Sequence, residues 1–232
     1  MPAPLTTRNL FLREILDSGR VIDSNGREII LHSHISGQYA HALYTVALQN
    51  RPKAVLEVGL AFGISSLAIL TALDELGTGH LTSIDPNQCS EEWRGVGIAN
   101  IQRCGFAARH TLLQKPDYIA LPELMASGMT IELAYIEGWH TFDHAFLDFF
   151  YIDRMIRPGG IVGFNDAGWR SVHKVLRFIA SHRHYEEIDV GLKRTFRARN
   201  LLFSLGRRVF DAPNQDRYFR KVDRMETRLQ LF

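Results

Sequence analysis

The stretch Val55-Leu-Glu-Val-Gly-Leu-Ala-Phe-Gly-Ile-Ser-Ser-Leu67 constrains the fold more than any other part of the chain. Val55 to Val58 reads as a short buried strand with one acid, Glu57, inside it. Gly59 and Gly63 bracket a tight turn. Ser65 and Ser66 then open a helix whose apolar residues recur at Leu67, Leu70, Leu73 and Leu76. A strand that ends in glycine and feeds a helix N-terminus gathers free backbone N–H groups and the positive end of the helix dipole at one spot. An acid buried in such a strand is costly unless something pairs with it.

Strands and helices alternate around this turn. Residues 6–18 read as one helix, capped by Thr6 or Thr7 and closed by Gly19. Residues 20–35 read as irregular or briefly extended, with a turn at Asn25-Gly26. Ser36-Gly37-Gln38 precedes a second helix that Pro52 ends. Strands are predicted at 54–58, 81–84, 109–113, 131–136, 161–164, 185–190 and 195–204. Helices are predicted at 91–104, 142–156 and 170–181, with at most a short one at 122–127. Residues 214–230 read as a basic amphipathic helix with Tyr218, Val222, Met225 and Leu229 on one side. The alternation predicts an α/β fold: a Rossmann-like, doubly wound, seven-stranded and mostly parallel sheet with an antiparallel last strand. The short link Gly191 to Arg194 would join its last two strands as a hairpin. Three segments follow: 1–50 as helices covering the site, 51–205 as the ligand-binding domain, and 206–232 as a basic tail.

Composition enters as a filter. A 46% hydrophobic and 22% charged chain suits a soluble globular domain. Two cysteines, Cys89 and Cys104, make neither a disulfide framework nor a zinc spacing, so a cytoplasmic setting is expected. The first residues lack a signal-peptide core, and no apolar run approaches the roughly 20 residues that span a bilayer, so no membrane partner is expected. Lys193 to Phe232 carries 11 Lys/Arg against 4 Asp/Glu. No nucleic-acid motif accompanies this charge, so a solvated face or a homodimer through the last helix is the expectation rather than nucleic acid.

In an open parallel sheet, ligands bind beyond the carboxyl ends of the strands. Four such ends carry distinctive residues: Glu57-Val-Gly59, Asp85-Pro86, Glu137-Gly-Trp-His140 and Asn165-Asp166. Asp85 stands where an acid can accept hydrogen bonds from ribose hydroxyls. That suits a nicotinamide dinucleotide or S-adenosylmethionine. The turn discriminates between them. Glu57-x-Gly59-x-x-x-Gly63 lacks the third glycine of the pyrophosphate-binding G-x-G-x-x-G. S-adenosylmethionine has an ammonium and a sulfonium instead of a pyrophosphate, and an acid before the glycine suits them.

These segments together resemble the class I S-adenosylmethionine-dependent methyltransferases, and more narrowly a small bacterial O-methyltransferase-like family. The matching stretches are Leu56-Glu-Val-Gly59 with Gly63 and Ser65, Ile84-Asp-Pro86, Ile136-Glu-Gly-Trp-His-Thr-Phe-Asp143, Asp148 to Asp153, and Pro158-Gly-Gly-Ile-Val-Gly-Phe-Asn-Asp166. The resemblance implies methyl transfer from S-adenosylmethionine, with the oxygen of a small molecule as the expected acceptor. It implies that Glu57, Gly59, Gly63 and Ser65 surround the methionine part of the cofactor, with Ser36 and Gln38 closing over it. Asp85 would hold the ribose. Pro86 and Asp117 would flank the adenine, and Glu137 and Trp139 would line the site. Glu137, His140 and Asp166 would orient or deprotonate the acceptor. In related enzymes carboxylates at these strand ends bind a divalent cation, so Glu137, Asn165 and Asp166 form a candidate Mg2+ set. Asp143 and Asp148 read as helix-start and surface groups. A nicotinamide-dependent oxidoreductase and a non-catalytic, cofactor-binding partner subunit are the rival readings.

Overall fold

The structure is a computed structural model that describes residues 4–198 and 200–223. In chain order the elements are α1 Leu5–Arg8, α2 Leu10–Ser18, β1 Arg20–Ile22, β2 Glu28–Ile30, α3 Gly37–Asn50, β3 Ala54–Val58, α4 Ile64–Glu75, β4 His80–Ile84 and α5 Val96–Arg103. There follow β5 His110–Leu113, α6 Asp117–Ala126, β6 Ile131–Ile136, α7 Phe142–Met155, β7 Ile156–Phe164, α8 Arg170–His182, β8 Tyr185–Ile188, α9 Leu201–Val209 and β9 Arg217–Lys221. Seven strands form one sheet in the order β5-β4-β3-β6-β7-β9-β8, and β1 and β2 form a separate hairpin. Every pairing among β5, β4, β3, β6 and β7 is parallel; β9 runs antiparallel to both β7 and β8.

Successive residues of a strand face opposite sides, and the core divides accordingly. Val55, Leu81, Leu133, Tyr135 and Tyr218 pack with the first five helices. Leu56, Ile84, Ala134, Ile136, Val162 and Phe219 pack with α6, α7 and α8. Both faces are covered, so the central strands read as continuous apolar runs. The strand order reverses between β3 and β6, and such a reversal opens a crevice at the carboxyl edge.

The architecture is the expected one, and the differences lie at the ends. The helix expected over 6–18 is broken at Asn9, whose backbone is extended and whose side chain accepts from Leu12 N. Asn9, rather than Thr6 or Thr7, is therefore the capping residue. Residues 20–35 hold the β1–β2 hairpin. The helix after β5 runs a full ten residues, with Pro122 inside it.

The strand expected over 195–204 is overturned: Asn200 caps a helix that begins at Leu201. The helix expected over 214–230 is likewise overturned as far as residue 221. There Tyr218 and Phe219 alternate between the two faces of the sheet, and β9 fills the slot between β7 and β8. The last hairpin thus joins its strands through residues 189–216, and the sheet domain extends past 205. Residues 224–232, the rest of the helix proposed for dimerisation, lie outside the described residues.

Candidate active site

The crevice at the strand reversal is built first by glycine. Gly59 has φ +94°, and a Cβ there would lie 2.4 Å from the carbonyl oxygen of Glu137. Only glycine lets the β3 turn approach the end of β6 this closely. Gly63, at φ +80°, closes the turn and packs against the backbone of Gly97. Asp85, buried at the end of β4, braces it: Oδ2 accepts from Leu60 N at 3.2 Å, Ala61 N at 2.9 Å and Gln88 Nε2 at 2.8 Å. Oδ1 accepts from Asn87 N at 2.8 Å. Asp85 thus holds the turn, and Oδ1 retains acceptor capacity for a further hydroxyl. Gln88, which belongs to no motif in the sequence, also ties its Nε2 to Ala61 O.

Three carboxyl groups, Glu57, Asp166 and Asp216, stand near enough to a fourth, Glu137, for their charges to act on it. Glu57 is fully buried; its Oε2 accepts from the Ser66 hydroxyl and from the Ser83 hydroxyl at 2.7 Å, while Oε1 has no hydrogen-bond partner among the described residues. Burial pushes Glu57 up to about 7 against the pull of those hydroxyls. Burial also pushes Glu137 well above the carboxylate range, and the charges of Glu57, Asp216 and Asp166 add to the effect. Asp166 is raised by burial and lowered by His140. Asp216 is raised by burial to about 7, although Tyr135 OH donates to it at 2.5 Å and Asn165 Nδ2 at 3.1 Å. No Lys or Arg among the described residues pairs with any of the four.

Beside this cluster stands His140. Its Nε2 lies 3.2 Å from Asn165 Oδ1 and 3.5 Å from Asp166 Oδ2. Asn165 is oriented by Asp216, because its amide N–H donates to that carboxylate. Both neighbours of Nε2 are therefore acceptors, which places the proton of the neutral ring on Nε2 and the free lone pair on Nδ1. The ring lies against Trp169, centroids 5.3 Å apart, and the Ser171 hydroxyl donates to the His140 carbonyl. Asp166 itself sits at φ +50°, a conformation that aspartate tolerates better than most residues.

The other expected residues divide. Ser65 is buried beside Glu57 and Glu137. Ser36 caps α3 through Tyr39 N, and Gln38 is exposed next to it. The α3 end does reach the carboxyl edge, since Tyr39 OH donates to Asn214 O at 3.5 Å and Tyr39 is raised by burial first and then by the Asp216 and Asp166 charges. Pro86 and Trp139 are exposed. Asp117 is buried at the first position of α6, where Oδ2 bonds His144 Nδ1 at 2.5 Å.

Asp148 corrects its expected surface role: it is fully buried, and neither carboxyl oxygen has a hydrogen-bond partner among the described residues. Burial and the Asp117 charge push it far above the carboxylate range. Glu137, Asn165 and Asp166, the candidate metal set, follow the neighbouring strands β6 and β7. Both amide atoms of Asn165 are committed, to His140 and Asp216, and no group of three or more His, Cys, Asp or Glu among the described residues is placed to hold a metal. Asp216 and Tyr39 carry no signal in the sequence. Asp216 precedes a strand whose residues also suit a helix, and Tyr39 is one member of the apolar stripe along α3.

Residues 56–167, just under half of the chain, match the sequence profile of a methyltransferase-domain family. This segment is similar to a methyltransferase domain. Its fold is the Rossmann-like fold of class I methyltransferases. An O-methyltransferase from Bacillus cereus, in complex with S-adenosylhomocysteine, superposes with a TM-score of 0.68 at 12% identity, covering 93% of this chain and 91% of that one. TomG of Streptomyces achromogenes, an O-methyltransferase involved in tomaymycin synthesis and bound to S-adenosylmethionine, gives 0.65 at 14% identity, covering 96% and 91%. The Podospora anserina methyltransferase PaMTH1, bound to S-adenosylhomocysteine, gives 0.63 at 12% identity, covering 96% and 89%. No curated protein sequence gives a significant match. No described helix is long and apolar enough to cross a membrane.

Proposed function

We propose that this chain transfers the methyl group of S-adenosylmethionine to an oxygen of a small-molecule acceptor. The observation that carries this reading is the set Glu57, Glu137, Asp166 and Asp216: their charges act together on Glu137, no Lys or Arg among the described residues pairs with them, and the buried Glu57 Oε1 has no hydrogen-bond partner among those residues. Buried carboxylates need a cation. The ammonium and sulfonium of the cofactor fit that need, and a neutral or anionic nicotinamide dinucleotide does not. When bound, the cofactor supplies an electrophilic methyl.

The protein groups then have distinct roles. Glu57 and Glu137 hold the cationic methionine end beside Gly59, Gly63 and Ser65, with Ser36 and Gln38 above. Asp85 takes a ribose hydroxyl on Oδ1, and Pro86 and Asp117 flank the base. Trp139 walls the acceptor side. His140 accepts the acceptor's hydroxyl proton on Nδ1, and Asp166, 3.5 Å from Nε2, stabilises the imidazolium that results. Alignment of acceptor and methyl, with water excluded, supplies much of the rate. The two free cysteines support a cytoplasmic setting.

Calorimetry with S-adenosylhomocysteine and with NAD, followed by transfer of labelled methyl to a panel of hydroxylated acceptors, tests the proposal. Binding of S-adenosylhomocysteine and transfer lost in His140→Ala are expected. Binding of NAD alone would make the chain an oxidoreductase. Tight cofactor binding without transfer to any acceptor would make it a partner subunit.

A further inference from the structure

Helix α9 is turned inside out. Ser204 and Arg207 face the protein: the Ser204 hydroxyl donates to Phe196 O at 2.8 Å, and Arg207 Nη1 donates to Asn214 Oδ1. The apolar side chains face away, with Leu201, Leu202, Phe203, Leu205, Val209 and Phe210 between 59% and 86% exposed. No residue of the helix is buried. At about 100° per residue these six side chains sweep an arc of about 200°. A helix of a water-soluble domain puts such an arc on its core. Six large apolar side chains side by side in water mark a contact surface.

Charge indicates what covers it. Lys193 and Arg197 lead into the helix and Arg208 borders its apolar arc; all three are exposed, and none has an ion-pair partner among the described residues. Arg194, by contrast, is paired with Glu187 and Asp211. A second copy of the chain would bring basic rim against basic rim. A partner helix would cover only a narrow seam. A lipid surface covers half of a helix lying in it and offers phosphates to its cationic border.

We propose that α9 lies in the surface of an anionic bilayer, with its apolar arc among the upper acyl carbons and Lys193, Arg197 and Arg208 on the head groups. The expectation of no membrane partner rested on the lack of a spanning segment, which a helix lying in the surface does not need. The placement is consistent with the topology. The connection from β8 to β9 crosses the carboxyl edge of the sheet, and the chain leaves β9 at the opposite edge. Arg207 also packs over Gly168, beside the half-exposed Trp169. The loop that carries Asp166 therefore stands next to the lipid.

Co-sedimentation of the full chain with vesicles tests this, using phosphatidylcholine alone and an equal mixture with phosphatidylglycerol. Binding to the anionic vesicles is expected, weakening as salt rises, with little binding to the neutral ones. Leu202→Glu with Phe203→Glu should abolish it, and Arg197→Glu with Arg208→Glu should weaken it tenfold or more. Both variants should keep the parent melting temperature and affinity for S-adenosylhomocysteine, because the altered side chains touch neither core nor crevice. Failure to sediment with anionic vesicles overturns the proposal. So does a dimer in light scattering that the Leu202→Glu, Phe203→Glu variant dissolves, or capture of a soluble protein by α9, when vesicles are not bound. Equal binding to neutral vesicles overturns the role of the charges.

Discussion

A buried carboxyl group that titrates near neutrality makes both stability and ligand binding depend on pH. Glu57 is raised from the usual 4.5 to about 7, so between those values the folded chain holds a proton that the unfolded chain has released. Stability therefore falls as pH rises from 4.5 to 7 and stays low above it, by roughly 3 kcal/mol for this group. Asp216, raised to about 7 by burial, acts in the same direction. The ligand-free protein should thus melt several degrees higher at pH 5.5 than at pH 8, and Glu57→Gln should flatten that profile in thermal scans. The cationic cofactor selects the ionised form, so its affinity should rise through pH 7 in the parent and lose at least tenfold in Glu57→Gln. Asn165 offers another test. Among the described residues its side chain bonds His140 and Asp216, so Asn165→Ala removes the nearer of the two acceptors that hold Nε2. A kcat lowered roughly ten- to hundredfold, with cofactor affinity unchanged and an altered pH–rate profile, is the expected result. An unchanged pH profile would remove the positioning role.

At the scale of elements, the β3–α4 turn and the end of β6 form one unit, because Gly59 allows their backbones to touch. Gly59→Ala would put a methyl 2.4 Å from Glu137 O at a φ of +94°. Since both obstacles are backbone, the turn itself must move. A loss of at least 2 kcal/mol in denaturant unfolding is expected, together with loss of S-adenosylhomocysteine binding in calorimetry. Parent-like binding would show that the close approach is dispensable. This unit was legible in the sequence for a local reason: a glycine pair after an apolar run admits few backbone paths. The same holds for Gly19, whose role in closing α2 depends only on near neighbours. The end of the sheet was not legible. Arg217-Tyr-Phe-Arg-Lys221 carries apolar residues that suit a helix face as well as a strand, and the vacant edge of β7 that decides between them lies more than fifty residues earlier. Asp216 and Asp148 were missed or misread with it, since burial by distant elements leaves no mark on a local pattern.

The whole molecule is fastened at the far side of the sheet by a buried ionic cluster that no local pattern announces. Asp153 of α7 accepts from Arg183 after α8 at 3.1 Å, from Tyr185 OH of β8 at 2.8 Å, and pairs with Lys221 of β9 at 3.1 Å. Lys221 also donates to the Asp153 and Ile156 carbonyls. Asp153, Arg183 and Lys221 are all buried at the charged end, so removing one partner strands charge in a dry setting. Lys221→Met should cost about 2–4 kcal/mol, less than the loss of every partner because Arg183 remains. Its urea midpoint should fall accordingly, and in an Asp153→Asn background the same substitution should cost much less, since the two groups are coupled. The consequence reaches the crevice. β9 is the strand that Asp216 leads into, and Asp216 fixes Asn165, which in turn fixes His140. Lys221→Met at a pH and temperature where it is still folded should therefore lower kcat more than it changes cofactor affinity, because Glu57 and Gly59 belong to β3 and its turn. Equal losses in both would mean that β9 supports the sheet as a whole and has no separate bearing on His140.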